Sequence, residues 1–241
     1  MNRPLRLGVL TPSSNTALEP LTSAIVAGVP GASVHFSRFR VTEISLEAAA
    51  LGQFDDGKIL AAAELLADAK VDVIGWSGTS SGWLGFERDR QLVERIREHT
   101  GIPATTAVLA LNELLALRQV RRLALVTPYT QDVQARIVAN YRSIGIDASP
   151  ERHLDIRVNH DFAVVTPAEL RGLMDAVARE RPDAITTFCT NLRAAQLAAE
   201  VERAHGIPLL DTVSTTVWGM LRAAGASPAA ITGWGELFQW T

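Results

Sequence analysis

Cys189 is the single cysteine of a 241-residue chain, and it stands in DAITTFCTNLRAA (183–195). An apolar, β-rich run precedes it and the first turns of a helix follow. A thiol at such a junction meets free N–H groups and the positive end of a helix dipole, which suits a nucleophile or an acid–base group. A free cysteine is equally at home as a small core filler, and the position alone does not decide between the two. Three other segments carry groups able to hold an anion. GWSGTSSG (75–82) is not a nucleophile elbow, because GxSxG needs glycine where Thr79 stands. Its Thr79, Ser80 and Ser81 offer rotatable O–H groups and backbone donors for a carboxylate, an oxyanion or a phosphate, or simply cap the next helix. In TPSSNT (11–16), one of Ser13, Ser14, Asn15 or Thr16 reads as the N-cap of a helix starting near Ala17, and Asn15 could also donate to a carboxylate. TPYTQDV (127–133) places Tyr129, one of two tyrosines, at a strand end, as an anion donor or as cover for the sheet edge.

Several classes of function find no support. The five histidines (His35, His99, His153, His160, His205) lack HxxxH spacing and there is no CxxC, so no metal site is expected. His153 and His160 are the histidines that could pair with Cys189, but both read as loop residues. Neither GxGxxG nor GxxxxGK[ST] occurs, so no nucleotide cofactor is expected. A net charge of −3 without a basic run argues against nucleic acid or an anionic membrane as partner. The apolar part of MNRPLRLGVL is too short for a signal peptide or a membrane span, and AVLALNELLAL (107–117) is broken by Asn112 and Glu113. With one cysteine and hence no internal disulfide, a cytoplasmic setting is expected.

The elements that must position these groups alternate. LRLGVL is followed by ALEPLTSAIVAG, ASVHFSRFRV by ILAAAELLADAK, and VDVIGW by DRQLVERIREHT, the pattern of βαβ units and parallel sheets. The alternation is also written twice. Thr11-Pro12 matches Thr127-Pro128 at an offset of 116, Asp72 matches Asp183 at 111, and Gly101-Ile102-Pro103 matches Gly206-Ile207-Pro208 at 105. Three matches in the same order predict two related α/β lobes, 1–115 plus 217–241 and 116–216, each a parallel sheet with flanking helices. Ligands of such sheets sit beyond the carboxyl ends of the strands, so one cleft between the lobes is expected. At the offset of 111 Cys189 faces Gly78, a position with no side chain. Trp76, Trp83, Phe188 and Trp218 lie near strand ends; some could line the pocket, and most are expected in the core.

With the halves laid out, the chain resembles the Asp/Glu/hydantoin racemase superfamily, and within it the branch of maleate cis-trans isomerase and arylmalonate decarboxylase. The resemblance spans essentially the whole chain through LTPSSNTALEP, IGWSGTSS, both GIP segments, LALVTPYTQDV and TTFCTNL. It implies an enzyme without a cofactor that acts at the α-carbon of a small carboxylic acid. Two-cysteine members carry one thiol in each half; Gly78 at the first of these positions is a departure shared with the decarboxylase. There a single second-half cysteine protonates the enediolate left by loss of CO₂. By that similarity Thr79, Ser80, Tyr129 and the N–H groups of Cys189 and Thr190 bind the reacting carboxylate, with Pro12, Gly78 and Ser81 in the pocket. Asn15 and Asn159 instead match positions that hold substrate carboxylates in maleate isomerases, and Arg38 and Arg40 add polarity beyond the needs of an aryl pocket. The leading expectation is a decarboxylase-like lyase with Cys189 as proton donor. The alternatives are an isomerase or racemase acting on a small di-acid or amino-acid derivative, and, from another class, a non-catalytic carboxylate-binding module. Members include monomers and dimers, which admits a homodimer. Gly78→Cys is expected to restore a two-thiol arrangement.

Overall fold

The computed structural model describes residues 4–47, 52–54 and 56–240. Strand β1 (Leu5–Pro12) lies between β2 (Ala32–Phe39) and β3 (Val73–Trp76), and β4 (Ala104–Thr106) continues beyond β3, with every pairing parallel. The second sheet repeats this order. Strand β5 (Leu123–Thr127) lies between β6 (Glu151–His153) and β7 (Ala184–Thr187), again in parallel, and Leu209 bridges to Ile185 where β4 stands in the first sheet. The sequences explain the arrangement: VIGW, LALVT and AITT are continuous small or apolar runs and are buried at every residue, as strands covered on both faces must be. The fold is thus α/β with two parallel sheets, as the alternation and the repeat predict.

Nine helices are described: α1 (Leu18–Val26), α2 (Asp56–Asp68), α3 (Ser81–Leu84), α4 (Glu87–Thr100), α5 (Ala107–Leu117), α6 (Gln131–Ser143), α7 (Pro167–Ala178), α8 (Ala198–His205) and α9 (Thr212–Ala223). The paired GIP motifs gain a physical meaning here. Gly101 and Gly206 end α4 and α8 in the left-handed conformation, at φ 71° and 65°, where a residue with a Cβ would be strained. Five residues after each glycine comes the cap of the next helix: Thr106 accepts from Leu109 N, and Asp211 accepts from Val213 N and Ser214 N. Helix α7 starts with a Thr166–Glu169 capping box and Pro167 in its first turn.

Helix α9 is buried from Thr212 to Leu221 and packs on β3, β4, α1 and α5. Leu237, Phe238 and Trp240 are buried in turn, with Trp218 Nε1 donating to Trp240 O and the Arg118 guanidinium 4.5 Å above the Trp240 ring. On this packing we propose that the chain crosses back to the first lobe at Asp211, where α9 begins, because a boundary at 217 would cut a continuous helix. Among the described residues, no helix is long and apolar enough to cross a membrane.

Candidate active site

The carboxyl ends of β1, β3, β5 and β7 lead into one small cavity. Pro12, Gly78, Thr79, Ser80, Tyr129, Asn159, Cys189 and Thr190 line it, so eight of the ten residues singled out in the sequence come together. Five more complete the wall: Val41, Ile44, Phe54, Trp76 and Trp83. The cavity measures about 20 Å³, room for one water rather than for an acid of several carbons. A substrate therefore requires part of the wall to shift, and Val41, Ile44 and Phe54 stand on the segment between β2 and α2. Its residues 41–47 are tied down by polar contacts. Val41 O accepts from Ser14 Oγ at 2.5 Å, Ile44 N donates to Arg157 O, and Arg157 pairs with Glu43 and Glu47. A larger open groove of about 730 Å³ beside Arg157 shares no lining residue with the cavity.

Cys189 is 3% exposed. Burial pushes its thiol up to about 12, outweighing the Tyr129 hydroxyl and the N–H groups of Asn191 and Leu192, which favour the thiolate; buried Asp211 adds to the upward shift. The sulfur is therefore a thiol at neutral pH, contrary to the eased ionisation that its strand-end position suggests. Tyr129 Oη and Thr79 Oγ1 share a 2.6 Å hydrogen bond across the two lobes. The Tyr129 ring is held edge-on between Trp83 at 5.2 Å and Phe162 at 5.7 Å, and burial drives its own hydroxyl pKa well up.

Asn15 and Ser81, the two remaining predicted site residues, do not line the cavity. The Asn15 side chain caps α1 through Oδ1, accepting from Ala17 N and Leu18 N, and its Nδ2 donates to Thr190 Oγ1. The capping reading of TPSSNT therefore holds. A second cap arrives from the opposite lobe, where Asn191 Oδ1 accepts from Thr16 N and Ala17 N while its Nδ2 donates to Asn159 O. Asn159 Nδ2 in turn donates to Ser14 Oγ at 2.7 Å, and the Thr190 hydroxyl donates to Ser77 O. Asn191 was missed by sequence reasoning; its place two residues after Cys189 in TTFCTNL is the signal that could have found it. The Ser81 hydroxyl is buried beside Asp89 without a well-formed hydrogen bond. Asp89 accepts from Thr106, and Asp211 accepts from Thr187 at 2.5 Å; burial raises both carboxyls to about 6.

The structure refines the aromatic reading and corrects two others. Trp76 and Trp83 are both buried and line the cavity, whereas Phe188 and Trp218 are buried outside its wall. Arg38 does not reach it: the guanidinium pairs with Glu19 and donates to Ser13 O and Asn15 O, and Arg40 is exposed. Gly78 is not an open slot awaiting a thiol. A Cβ built there lies 2.0 Å from Trp76 Cζ2 and 2.4 Å from Cε2, so the indole fills the place of the side chain. At the matching position of the second half stands Thr187, whose smaller side chain leaves Cys189 its room. His153 pairs with Glu151 on β6 and His160 is exposed, so neither adjoins the thiol. Among the described residues, no group of three His, Cys, Asp or Glu side chains gathers as a metal would require.

Comparison with known proteins agrees with this geometry. Maleate isomerase of Pseudomonas putida is 28% identical over 240 residues, 95% of each chain, and arylmalonate decarboxylase of Bordetella bronchiseptica is 35% identical over 170 residues, 69% of this chain and 70% of the relative. Among solved structures, a Cys-to-Ala maleate isomerase from Pseudomonas putida with maleate superposes with a TM-score of 0.89 at 26% identity, covering 98% of both chains. A liganded Gly-to-Cys, Cys-to-Ser arylmalonate decarboxylase superposes at 0.85 and 25% identity, covering 99% of this chain and 100% of the other. The arylmalonate decarboxylase family profile matches residues 22–238. With nearly the whole length matched, and with relatives that are an isomerase and a lyase, this chain is an enzyme of the arylmalonate decarboxylase family.

Proposed function

We propose that the protein is a cofactor-independent decarboxylase of 2-substituted malonic acids. The observation that carries this reading is the pairing of one buried thiol, Cys189, with a cavity in which the Trp76 indole stands where a second thiol would. Isomerisation or racemisation through two thiols needs a group on each face of the α-carbon; decarboxylation needs one proton donor. One carboxylate leaves as CO₂, and its bonding electron pair stays on the α-carbon and spreads into the second carboxylate as an enediolate. The hydroxyls of Thr79, Ser80 and Tyr129 receive that charge, and preorganised donors in a dry cavity favour it over the ground state. The Cys189 S–H bond then breaks, its proton goes to the α-carbon, and the thiolate regains a proton from water. A thiol held near 12 by burial is suited to this task, being fully protonated when the carbanion forms. Val41, Ile44, Phe54, Trp76 and Trp83 give the substituent an apolar seat, and among the described residues no Lys, Arg or His lines the cavity.

The test is CO₂ release from phenylmalonate in D₂O, with one deuterium delivered to one face of the product. No release from any 2-substituted malonate would overturn the reading. One observation favours maleate isomerisation as the second reading: Asn159 lines the cavity, at a position that resembles a carboxylate-holding one of the isomerases. Conversion of maleate to fumarate without CO₂ would establish it. Either reading takes a small carboxylic acid as substrate, a cytoplasmic setting, and a monomer or homodimer as the assembly.

A further inference from the structure

Trp83 belongs to α3, on the turn that also carries Thr79 and Ser80. Its indole is 4% exposed, lines the cavity, and is wedged edge-on between Phe54 at 6.0 Å and Tyr129 at 5.2 Å. The Nε1–H is buried and has no hydrogen-bond partner among the described residues. A buried donor left unpaired is costly, and a phenylalanine would supply the apolar surface without that cost. The Trp218 indole, also buried in the core, by contrast donates to Trp240 O. Several other polar groups around the cavity are engaged: Thr79 with Tyr129, the Thr190 hydroxyl with Ser77 O, and Asn159 Nδ2 with Ser14. Trp83 shares the cavity wall with Ile44 and Phe54, and among the described residues no Lys, Arg or His lines that cavity. A neutral indole N–H among apolar walls matches a neutral acceptor better than a second carboxylate, whose desolvation one such donor would not offset.

We infer that Trp83 Nε1–H is a substrate-selecting donor, recognising a neutral hydrogen-bond acceptor (an ether oxygen, a carbonyl or a ring nitrogen) on the apolar substituent of the α-carbon. The inference rests on the proposed function for seating that substituent in this cavity. A site with an unmet donor rejects the analogue that lacks the matching acceptor, because binding then seals the N–H away from water.

The probes are phenylacetate, the three methoxyphenylacetates and the three pyridylacetates, which mimic products and bind without turnover, together with the corresponding malonates. The Trp83 indole N–H resonance of ¹⁵N-labelled native protein is followed on titration. At least one acceptor-bearing acid should move it downfield and bind about tenfold tighter than phenylacetate, the fold-change expected of one neutral hydrogen bond. In Trp83→Phe the ratio of the two affinities should collapse to about one. A resonance that responds alike to all seven acids, or a preference that survives in Trp83→Phe, would overturn the inference. The resonance is read on native protein, so the outcome stands even where the variant does not fold. Malonates turned over with no acceptor preference sink the Trp83 inference alone. Acids bound with the preference but no malonate decarboxylated sink the proposed reaction and keep the inference. Acids that do not bind at all sink both.

Discussion

Gly78→Cys probes whether the missing second thiol is a simple vacancy or a position closed by packing. The new Cβ would stand 2.0, 2.4 and 2.6 Å from three atoms of the Trp76 indole, where ordinary contact begins at 3.4 Å. The ring must therefore retreat by more than an ångström. It has little freedom to do so: Trp76 is 1% exposed, packs against Phe39 at a centroid distance of 5.0 Å, and ends a strand paired on both sides. Overfilling a packed core costs about 1–3 kcal/mol. At this chain length each kcal/mol moves the melting temperature by roughly 2–4 °C, so Gly78→Cys should melt roughly 2–12 °C below the native protein. Trp76→Leu alone opens a hole and costs on the order of 3 kcal/mol. Combined, the new side chain enters the vacated space, and the double variant should cost at least about 1 kcal/mol less than the two single changes together. Circular-dichroism melts of the four proteins measure this coupling. The double variant also sets a second thiol across from Cys189, so it should exchange the α-proton of a 2-arylpropionate in D₂O with loss of optical purity. A Gly78→Cys protein that melts with the native one, with strictly additive costs in the double variant, would refute the packing argument.

Cys189→Ser should fold as the native protein does and lose at least about a hundredfold in turnover, since a serine hydroxyl is a far weaker acid in the same place. Undiminished turnover would remove the thiol from the reaction. Tyr129→Phe keeps the aromatic packing and deletes one donor, which should lower kcat by about 10²–10³ with little change in the melt; a loss of binding alone would assign the hydroxyl to the ground state. With the Cys189 thiol held near 12 by burial, kcat should show no falling limb from thiol ionisation between neutral pH and about 10. A limb between 8 and 9 would place the sulfur in a far wetter environment. Asp89 and Asp211 are both raised from 3.8 to about 6 by burial, so the native state holds their protons more tightly than the unfolded chain does. Their contribution is favourable below 3.8 and is lost as pH rises through about 6. Asp211→Asn keeps a capping side chain and removes the charge, so urea unfolding at pH 4, 6 and 8 should show a flatter pH dependence, with a gain reaching about 2–3 kcal/mol at pH 8. An unchanged slope would mean that Asp211 is not ionised in the buried site.

The sequence was most informative where structure is local. The repeated GIP could be read because one backbone geometry, a left-handed glycine closing a helix before the next strand, demands the same residue twice. Strand-end groups such as Thr79, Tyr129 and Cys189 could be read because each follows an unmistakable buried strand. The outer wall escaped notice: Val41, Ile44 and Phe54 carry no reactive group, and only tertiary folding brings them beside Cys189. Arg38 misled because charge was read without its partners; Glu19 and two carbonyls absorb the guanidinium. The capping of α1 by Asn191 joins residues 174 and 175 positions apart, beyond any local pattern.

The two halves share a backbone and differ in chemistry, and the difference arises beneath the site as much as within it. The same N-cap position holds Thr106 in one half and Asp211 in the other. In the second half Asp211 accepts from Thr187 two residues before Cys189, a short side chain facing inward to a carboxylate and leaving the space above free. In the first half Thr106 turns to Asp89 instead, and the residue two before Gly78 is Trp76, whose indole lies over the glycine. The absence of a thiol at 78 and the presence of an indole at Trp76 are therefore coupled, since any residue with a Cβ at 78 would displace the ring. The indole then becomes wall, extending the apolar surface that Val41, Ile44 and Phe54 begin. On the proposed function, one packing arrangement thus closes the second proton-transfer face and builds the seat for an apolar substituent. On that reasoning a one-thiol site and an apolar wall should occur together in this fold, and activity at the second face should return more fully when Trp76 is changed along with Gly78 than with Gly78→Cys alone.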